Sequence, residues 1–462
     1  MTPHQEIEQM QAHAYPVKCR WDTSTLIVRF QAYQHMGQIA IIHPKNIRSP
    51  LVSSNFYWCS CRKRMYLLVV WKSLYLEVYL KRLFYVFVLC CLIGCSSSKP
   101  DITSTSISDD KPVIGQRIYL QVYGITDNPP MQFVWSADEG ELQGDDETYW
   151  TYWITPEETG TYTITCTISD DGSEDETAVF TLSAVDRTTQ TILAGPDSDE
   201  EVICMARNRT AKLGGIWAVV RDQGLEYFSA SSETESEWDG NFNALAVETE
   251  SSYYTALTVI WGAQDNQITK ISTDGESIIT CETCSAEDSI NVLELDGSIL
   301  WVGADSGLHK YDTSSAVWDE GIPVSFPDKV YDIFNAEDLT YVATSTGLYT
   351  IDDEYSIASL DSGLATAVMV EDSVTVWNII DGAVTQDGVI LDEQPPSITD
   401  SLDIDLLDRI WCGKYYWDGS AWQDPTGIDE VEDPIIESMV SPEGLLYLRS
   451  DSGKLFVWGK TP

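Results

Sequence analysis

Residues 296–312 read DGSILWVGADSGLHKYD, and this stretch decides the fold because each part of it has its own structural preference. The apolar run Ile299–Val302 predicts a strand buried on both faces. Asp305–Gly307 predicts a tight turn, since glycine tolerates a positive φ, and Leu308–Tyr311 predicts the next strand. With an earlier strand at Ile290–Leu295 and a short one afterwards, the stretch predicts one four-stranded sheet.

The same frame recurs along residues 190–462. Residues 339–352 read LTYVATSTGLYTID and repeat residues 299–312 at a distance of 40 residues. The residues aligned at the centre of each unit are Trp217, Trp261, Trp301, Tyr341, Val376, Trp411 and Tyr447. Seven units of this size without helical periodicity predict a β-propeller of about seven blades.

The unit at 296–312 resembles the propeller repeat of two-component regulators, D-x-x-G-x-Φ-W-Φ-G-x-x-x-G-L-x-x-Φ-D. The resemblance covers about 190–462 and implies, as one option, the sensor half of a signalling system. The last unit lacks an outer strand of its own. We therefore expect Thr191–Ala194 to pair beside Lys454–Trp458 and close the ring.

A smaller all-β domain is expected at 101–187. Short runs with apolar residues at period two are separated by turn residues, which is typical of a β-sandwich. The strand Gly160–Asp170 resembles that of PKD and bacterial Ig-like repeats, and Trp135 fits the core tryptophan of that family. The earlier strand carries no cysteine to pair with Cys166, so no antibody-type disulfide is expected.

Residues 81–95 read KRLFYVFVLCCLIGC and have the pattern of a secretory leader. Two basic residues precede an apolar run that is shorter than the about 20 residues needed to span a bilayer. The ending resembles the bacterial lipobox. This resemblance implies that 65–94 is a signal peptide, and that Cys95 carries acyl chains such as palmitate at the start of a lipidated linker, 95–100.

The expected location is therefore the bacterial cell envelope, with the chain anchored in the membrane by lipid. Ser96 after the cysteine, in place of Asp, favours the outer membrane; an uncleaved membrane anchor is the alternative. Residues 1–64 are basic and show no sustained period. Our hypothesis is that translation starts at Met65, which makes 1–64 a mis-called or disordered N-terminal extension.

The net charge of the chain limits the classes of partner that it is expected to bind. The formal net charge is -46. Since residues 1–94 hold 11 basic and 4 acidic residues, residues 95–462 hold 16 and 69, a balance of -53. Such a chain is not expected to bind nucleic acid, because phosphate binding needs Lys and Arg, whereas cations, basic proteins and neutral glycans stay open. Acidic residues cluster at 170–176; a solvated hairpin tip is favoured there over a calcium site.

No catalytic constellation is found in the sequence. His309 is the one histidine after Cys95, and its place in the repeat favours simple exposure. The C-x-x-C pair Cys281 and Cys284 has no second pair for zinc, and a buried pair or a local disulfide is expected instead. We expect no cofactor, no resident metal and no catalytic residue.

Two functional hypotheses remain, a binding module and an enzyme. The first is a non-catalytic binding or scaffold module that holds a protein or glycan on the propeller face formed by the turns between the second and third strands. The residues expected at that ligand are Arg221, Asp222, Asp265, Asp305, Asp381, Lys414, Tyr415, Tyr416 and Asp451. Tyr415 and Tyr416 point most directly to sugar stacking, although blade core is an equal interpretation. The alternative is a carbohydrate-active enzyme, a hydrolase or lyase, with paired carboxylates at the mouth of the central channel.

Overall fold

The structure is a computed structural model, and the chain divides into two compact units, Met1–Ser96 and Ser97–Pro462. In the first unit Leu26–Val28 pairs with Ala40–Ile42, and Asn55–Cys61 pairs with Arg64–Val70. The described residues are these four strands and 99–459 except 127–128, 145–147, 171–174, 194, 196–199, 208–213, 230–232, 236–239, 252–255, 273–274, 282–287, 320–327, 337, 353 and 429–430. The apolar core of the leader and Cys95 lie outside the described residues, so the predictions made for them stay predictions.

Every regular element in the described part of the chain is a β-strand, as the sequence predicts. No helix among these residues is long and apolar enough to cross a membrane.

Within the described part of 189–459, seven four-stranded antiparallel sheets follow one another as the blades of a propeller. The strands of blades 1 to 3 are Val202–Arg207, Ile216–Val220, Gly224–Phe228 and Glu233–Glu235; Ala244–Ser251, Ala256–Gln264, Gln267–Ser272 and Gly275–Thr280; Ile290–Asp296, Ile299–Ala304, Gly307–Asp312 and Val317–Trp318. Those of blades 4 to 6 are Val330–Ala336, Leu339–Thr344, Gly347–Asp352 and Ile357–Ser362; Ala365–Glu371, Thr375–Ile380, Ala383–Gln386 and Val389–Ile390; Asp403–Ile404, Ile410–Cys412, Tyr415–Trp417 and Trp422–Gln423. Blade 7 is Ile435–Val440, Leu446–Ser450 and Leu455–Trp458, with Thr189–Leu193 as its outer strand.

The outer strand of blade 7 closes the ring in the predicted manner. Thr189 pairs with Trp458, and Thr191 pairs with Phe456. This closure leaves no unpaired edge where the chain enters and leaves the ring.

Apolar clusters between successive blades form the core of the ring. The central aromatic residue of each blade packs against the following blade, and the last one packs against blade 1. These residues are Trp217, Trp261, Trp301, Tyr341, Trp377, Trp411 and Tyr447. The sequence alignment was wrong at one position, since it placed Val376 where Trp377 lies. Trp377 pairs with Gln386 as Trp301 pairs with Lys310, and a slip of one residue exchanges the two faces of a strand.

In blade 6 the hairpin differs in length by two residues, and the central aromatic residue therefore stays on the same face of its strand. Its hairpin between the second and third strands turns one residue after Trp411, at Cys412, whereas the hairpin of blade 3 turns three residues after Trp301, at Ala304. The hairpin is therefore two residues shorter. Because two is an even number, Trp411 keeps its orientation and is fully buried.

The domain before the ring is a sandwich of two sheets. One contains Asp101–Ile107, Arg117–Ile125, Trp150–Ile154 and Glu141–Gln143, and the other contains Gln132–Ala137, Gly160–Ser169 and Glu176–Ala184. Side chains from both sheets form one core, in which Trp135 stacks on Phe180. Cys166 is a free, buried cysteine of this core. The relation to PKD or Ig-like repeats stays a prediction.

The sandwich packs against one face of the ring. The Arg117 backbone N–H donates a hydrogen bond to the Glu443 carbonyl at 2.9 Å, and its guanidinium donates to the Pro442 carbonyl. The buried Arg187 guanidinium lies 4.6 Å from the ring centre of Trp458. Pro442 and Glu443 join the first and second strands of blade 7, so the sandwich covers part of the face on which those turns lie.

Candidate functional site

The turns that carry most of the predicted binding residues lie on the opposite face of the ring, which we call the turn face. It contains the turns between the second and third strands of each blade and the connections from one blade to the next. Three hydrogen bonds join these two kinds of segment: the N–H groups of Asp305, Asp381 and Asp451 donate to the carbonyls of residues 289, 364 and 434. Because turns at the two ends of a blade point in opposite directions, the sandwich does not cover the turn face.

Backbone geometry explains why aspartate occurs at three of the predicted binding positions. Asp222, Asp265 and Asp381 have φ values of 60°, 52° and 50°, in the left-handed region. Asp and Asn tolerate this conformation better than other residues with a Cβ. The turn itself thus accounts for these residue types, whether or not a ligand is present.

Two further predicted residues are held in exposed ion pairs. Arg221 makes a bidentate contact with Glu201 at 2.7 and 2.8 Å. Asp305 accepts a hydrogen bond from Asn291 and lies 3.0 Å from Lys329 Nζ. Partial burial acts to raise the pKa of Asp305, but its hydrogen bonds and the lysine charge outweigh burial and lower it. Such pairs contribute about 0–1 kcal/mol each and remain available to a partner.

The two tyrosines do not form one stacking platform. Tyr416 packs beside Trp411 with ring centres 5.2 Å apart, in the cluster shared with blade 7. Tyr415 packs into the cluster shared with blade 5. Adjacent strand residues face opposite sides of a sheet, so the two rings diverge. Lys414 donates to the Val431 carbonyl at 3.2 Å.

His309 is half-buried, which corrects the expectation of simple exposure. Its Nε2 lies 3.2 Å from the Ser306 hydroxyl oxygen. Burial lowers the pKa of His309, and the charge of Asp288 opposes this shift only in part. The side chain belongs to the third strand of blade 3, where it packs half-buried.

Two carboxylates that sequence reasoning missed lie on the first strands, around the central channel. Asp332 accepts the N–H groups of Ile333 and of Val368 in the next blade, each at 2.9 Å. Burial raises the pKa of Asp332 to about 7; the two N–H groups oppose the shift, and nearby acidic groups add to it. The signal in the sequence is an acid inside an apolar first strand, as in VYDIF.

Asp403 links three consecutive blades. It accepts the N–H of Val440 in blade 7 at 2.6 Å, and both of its oxygens lie 2.7 Å from Nη2 of Arg207 in blade 1, which donates to them. Burial raises the pKa of Asp403, and the positive charge of Arg207 opposes that shift. Both channel carboxylates thus satisfy inner-strand N–H groups that have no strand partner.

Metal ligation finds no support in the described part of the chain, where no group of three or more His, Cys, Asp and Glu residues is arranged to hold an ion. Asp170, at the start of the acidic cluster, accepts a hydrogen bond from Thr126. Residues 171–174 lie outside the described residues, so the calcium expectation stays untested. Cys281 is buried and disulfide-bonded.

Comparison with known proteins places the chain in no family. No protein-family model matches it, and no curated protein does. Among solved structures it is similar to the extracellular domain of the putative one component system BT4673 from B. thetaiotaomicron, with 19% identity and a TM-score of 0.45, covering 58% of this chain and 39% of that one. PorZ, a surface component of the type-IX secretion system of Porphyromonas gingivalis, gives 13% identity and a TM-score of 0.38, covering 59% and 39%. The chain therefore spans about two fifths of the length of each.

Proposed function

We propose that this protein is a binding or scaffold module of the bacterial cell envelope that holds a protein or glycan on the turn face of its propeller. The observation that carries the proposal is the position of the sandwich on the opposite face, so that the sandwich does not cover the turn face. Loops carried on a rigid scaffold are a common location for binding residues.

The charged groups of the turn face support this proposal. Arg221 has an exposed side chain, and the ion pair of Asp305 with Lys329 has about 40% exposure on both sides. A partner that brings charges of its own competes for such weakly held groups at little cost. The envelope location and the lipid anchor at Cys95 rest on the leader at 81–95, since no other observation bears on them.

The test is capture of a ligand from bacterial envelope extract by the full chain, with and without calcium. Arg221→Glu places a reversed charge on the turn face, and Lys111→Glu makes the same reversal on the exposed sandwich surface as a matched control. We expect one partner in stoichiometric amount with the wild type and with Lys111→Glu, and a loss with Arg221→Glu. Recovery that is equal in all three chains, or no recovery at all, contradicts the turn face as the binding surface.

A glycan-cleaving enzyme is the second candidate, favoured by the pKa of Asp332 at about 7. A group that titrates near neutral pH is suited to general acid and base catalysis. However, both oxygens of this carboxylate already accept backbone N–H groups. Release of reducing ends from neutral polysaccharides by the wild type, abolished in Asp332→Asn, is the result that favours the enzyme over the binding module.

A further inference from the structure

A continuous aromatic surface lies on the outer face of the four-stranded sheet of the sandwich. The strand Arg117–Ile125 turns Ile118 and Leu120 toward the core, so Tyr119 and Gln121 face outward. On the neighbouring strand Trp153 faces the core, which turns Trp150 and Tyr152 outward. The sequence signal is the alternation in TYWTYW at 148–153.

Cross-strand pairing brings these side chains together. Tyr119 pairs directly with Tyr152, and Gln121 pairs directly with Trp150. The ring centres of Tyr119 and Trp150 are 6.0 Å apart, with an angle of 26° between the ring planes. Tyr152 stands 5.5 Å from Tyr119 and 5.3 Å from Trp150, at steeper angles. The strip continues toward Tyr123, which is 47% exposed.

Gln121 adds a polar group to this surface. The residue is 5% exposed and makes no side-chain hydrogen bond with any residue that the structure describes. Its amide atoms are not among the fully buried polar atoms that lack a partner, so they still reach solvent at the sheet surface. The amide lies beside Trp150, where it can donate to and accept from the hydroxyl groups of a bound molecule.

The arrangement of aromatic rings around a free amide is typical of sites that bind small polar molecules through their apolar faces. A sugar ring has such a face of C–H groups, with hydroxyl groups around its edge. The charge balance of -53 over residues 95–462 disfavours acidic polysaccharides. Arg117, on the same strand as Tyr119, is already engaged with Tyr152, at 5.3 Å, and with the Pro442 carbonyl.

We propose that this outer sheet face, centred on Gln121, Trp150 and Tyr152, binds a neutral polysaccharide chain. Sugar rings stack on Trp150 and Tyr152, and the Gln121 amide hydrogen-bonds to sugar hydroxyls. The site is separate from the turn face and does not depend on the function proposed above. The turn face belongs to the propeller and this sheet face to the sandwich, so the two surfaces share no residue.

The test is affinity electrophoresis of the full chain through gels that contain barley β-glucan, xyloglucan, galactomannan or yeast mannan, with polygalacturonate as the acidic comparison. We expect retardation by at least one neutral polysaccharide and none by polygalacturonate. Trp150→Ala and Tyr152→Ala each weaken that binding by about tenfold or more, the usual effect of removing a central aromatic contact. Val179→Ala, on the exposed outer face of the other sheet, is the matched control and leaves the binding unchanged.

Hydroxyl-radical footprinting of the wild-type chain provides a readout that does not depend on the folding of a variant. The polysaccharide that retards the protein must protect Tyr123, Trp150 and Tyr152 from oxidation. Retardation without this protection overturns the proposal, as does retardation that both aromatic variants retain. Binding of polygalacturonate equal to that of the neutral chains, or no retardation in any gel, also overturns it.

Discussion

The aromatic residues of the blade interfaces and those of the sandwich's outer sheet face differ in their spacing along the strand. Residues an odd number of positions apart face opposite sides of a sheet, and residues an even number apart face the same side; we call this the parity of the spacing. Tyr415 and Tyr416 are adjacent and enter two different interfaces. Trp150 and Tyr152 are two residues apart and lie half-buried on one sheet face, beside the buried Tyr119. Similar residue types thus become core in one region and a surface in the other, because parity and the presence of a facing sheet decide between the two outcomes.

The test with the largest expected effect compares two neighbouring residues of blade 5. Trp377 is 1% exposed and donates its indole N–H to Glu371, whereas Val376 is only partly buried. Trp377→Ala is expected to lower the free energy of unfolding by about 3–5 kcal/mol, and Val376→Ala by about 1 kcal/mol. Denaturant unfolding of both variants measures the difference. Equal losses contradict the register of this strand.

A second test compares a buried aspartate, Asp403, with an exposed one, Asp305. Asp403→Ala leaves the N–H of Val440 and the Arg207 guanidinium without their acceptor, and we expect a loss of about 2–3 kcal/mol. Asp305→Ala removes only an exposed pair with Lys329, for about 0–1 kcal/mol. Thermal melting in low and high salt separates the two, because salt screens only the exposed pair strongly. A salt-sensitive loss at Asp403 contradicts its structural role.

A third test asks whether the aromatic strip of the sandwich is a packing element. Trp150 is half-buried and contacts Tyr119 and Tyr152, and no other sheet within the described part of 99–459 shares a core cluster with it. Trp150→Ala is therefore expected to lower the free energy of unfolding by about 1 kcal/mol, far less than Trp377→Ala. A loss as large as that of Trp377→Ala means that the strip is core, and the parity comparison then fails for the sandwich.

A fourth test concerns pH and Asp332. Its pKa in the folded chain, about 7, is above the value of about 4 in an unfolded chain. The folded state therefore holds the proton more tightly, and this contribution to stability is complete below pH 4 and lost as pH rises through 7. Asp332→Asn carries no titrating group, so its melting temperature relative to wild type rises from pH 4 to pH 8. A difference that stays constant over this range contradicts the raised pKa.

The sequence predicted the repeat and the closing strand correctly, since both depend on local patterns that period two makes visible. Trp377 was missed because VTVWNII is apolar at both candidate positions, so hydropathy alone does not set the parity. Asp332 and Asp403 were missed for another reason: their role is to satisfy N–H groups of the following blade, and only the closed ring brings those groups within reach. The pairing of Gln121 with Trp150 likewise depends on strand register.

The pairing of Thr189–Leu193 with Leu455–Trp458 has a consequence for protein synthesis. The outer strand leaves the ribosome before the first blade, and its partner leaves after the seventh. At usual bacterial rates of elongation, the early strand waits on the order of tens of seconds for that partner. Throughout this interval six blades can stack while the ring stays open, with apolar surface on the first and the latest blade. The nascent chain therefore presents its greatest demand for chaperones late in translation, and a ribosome that stalls in blade 7 releases a product with two open edges.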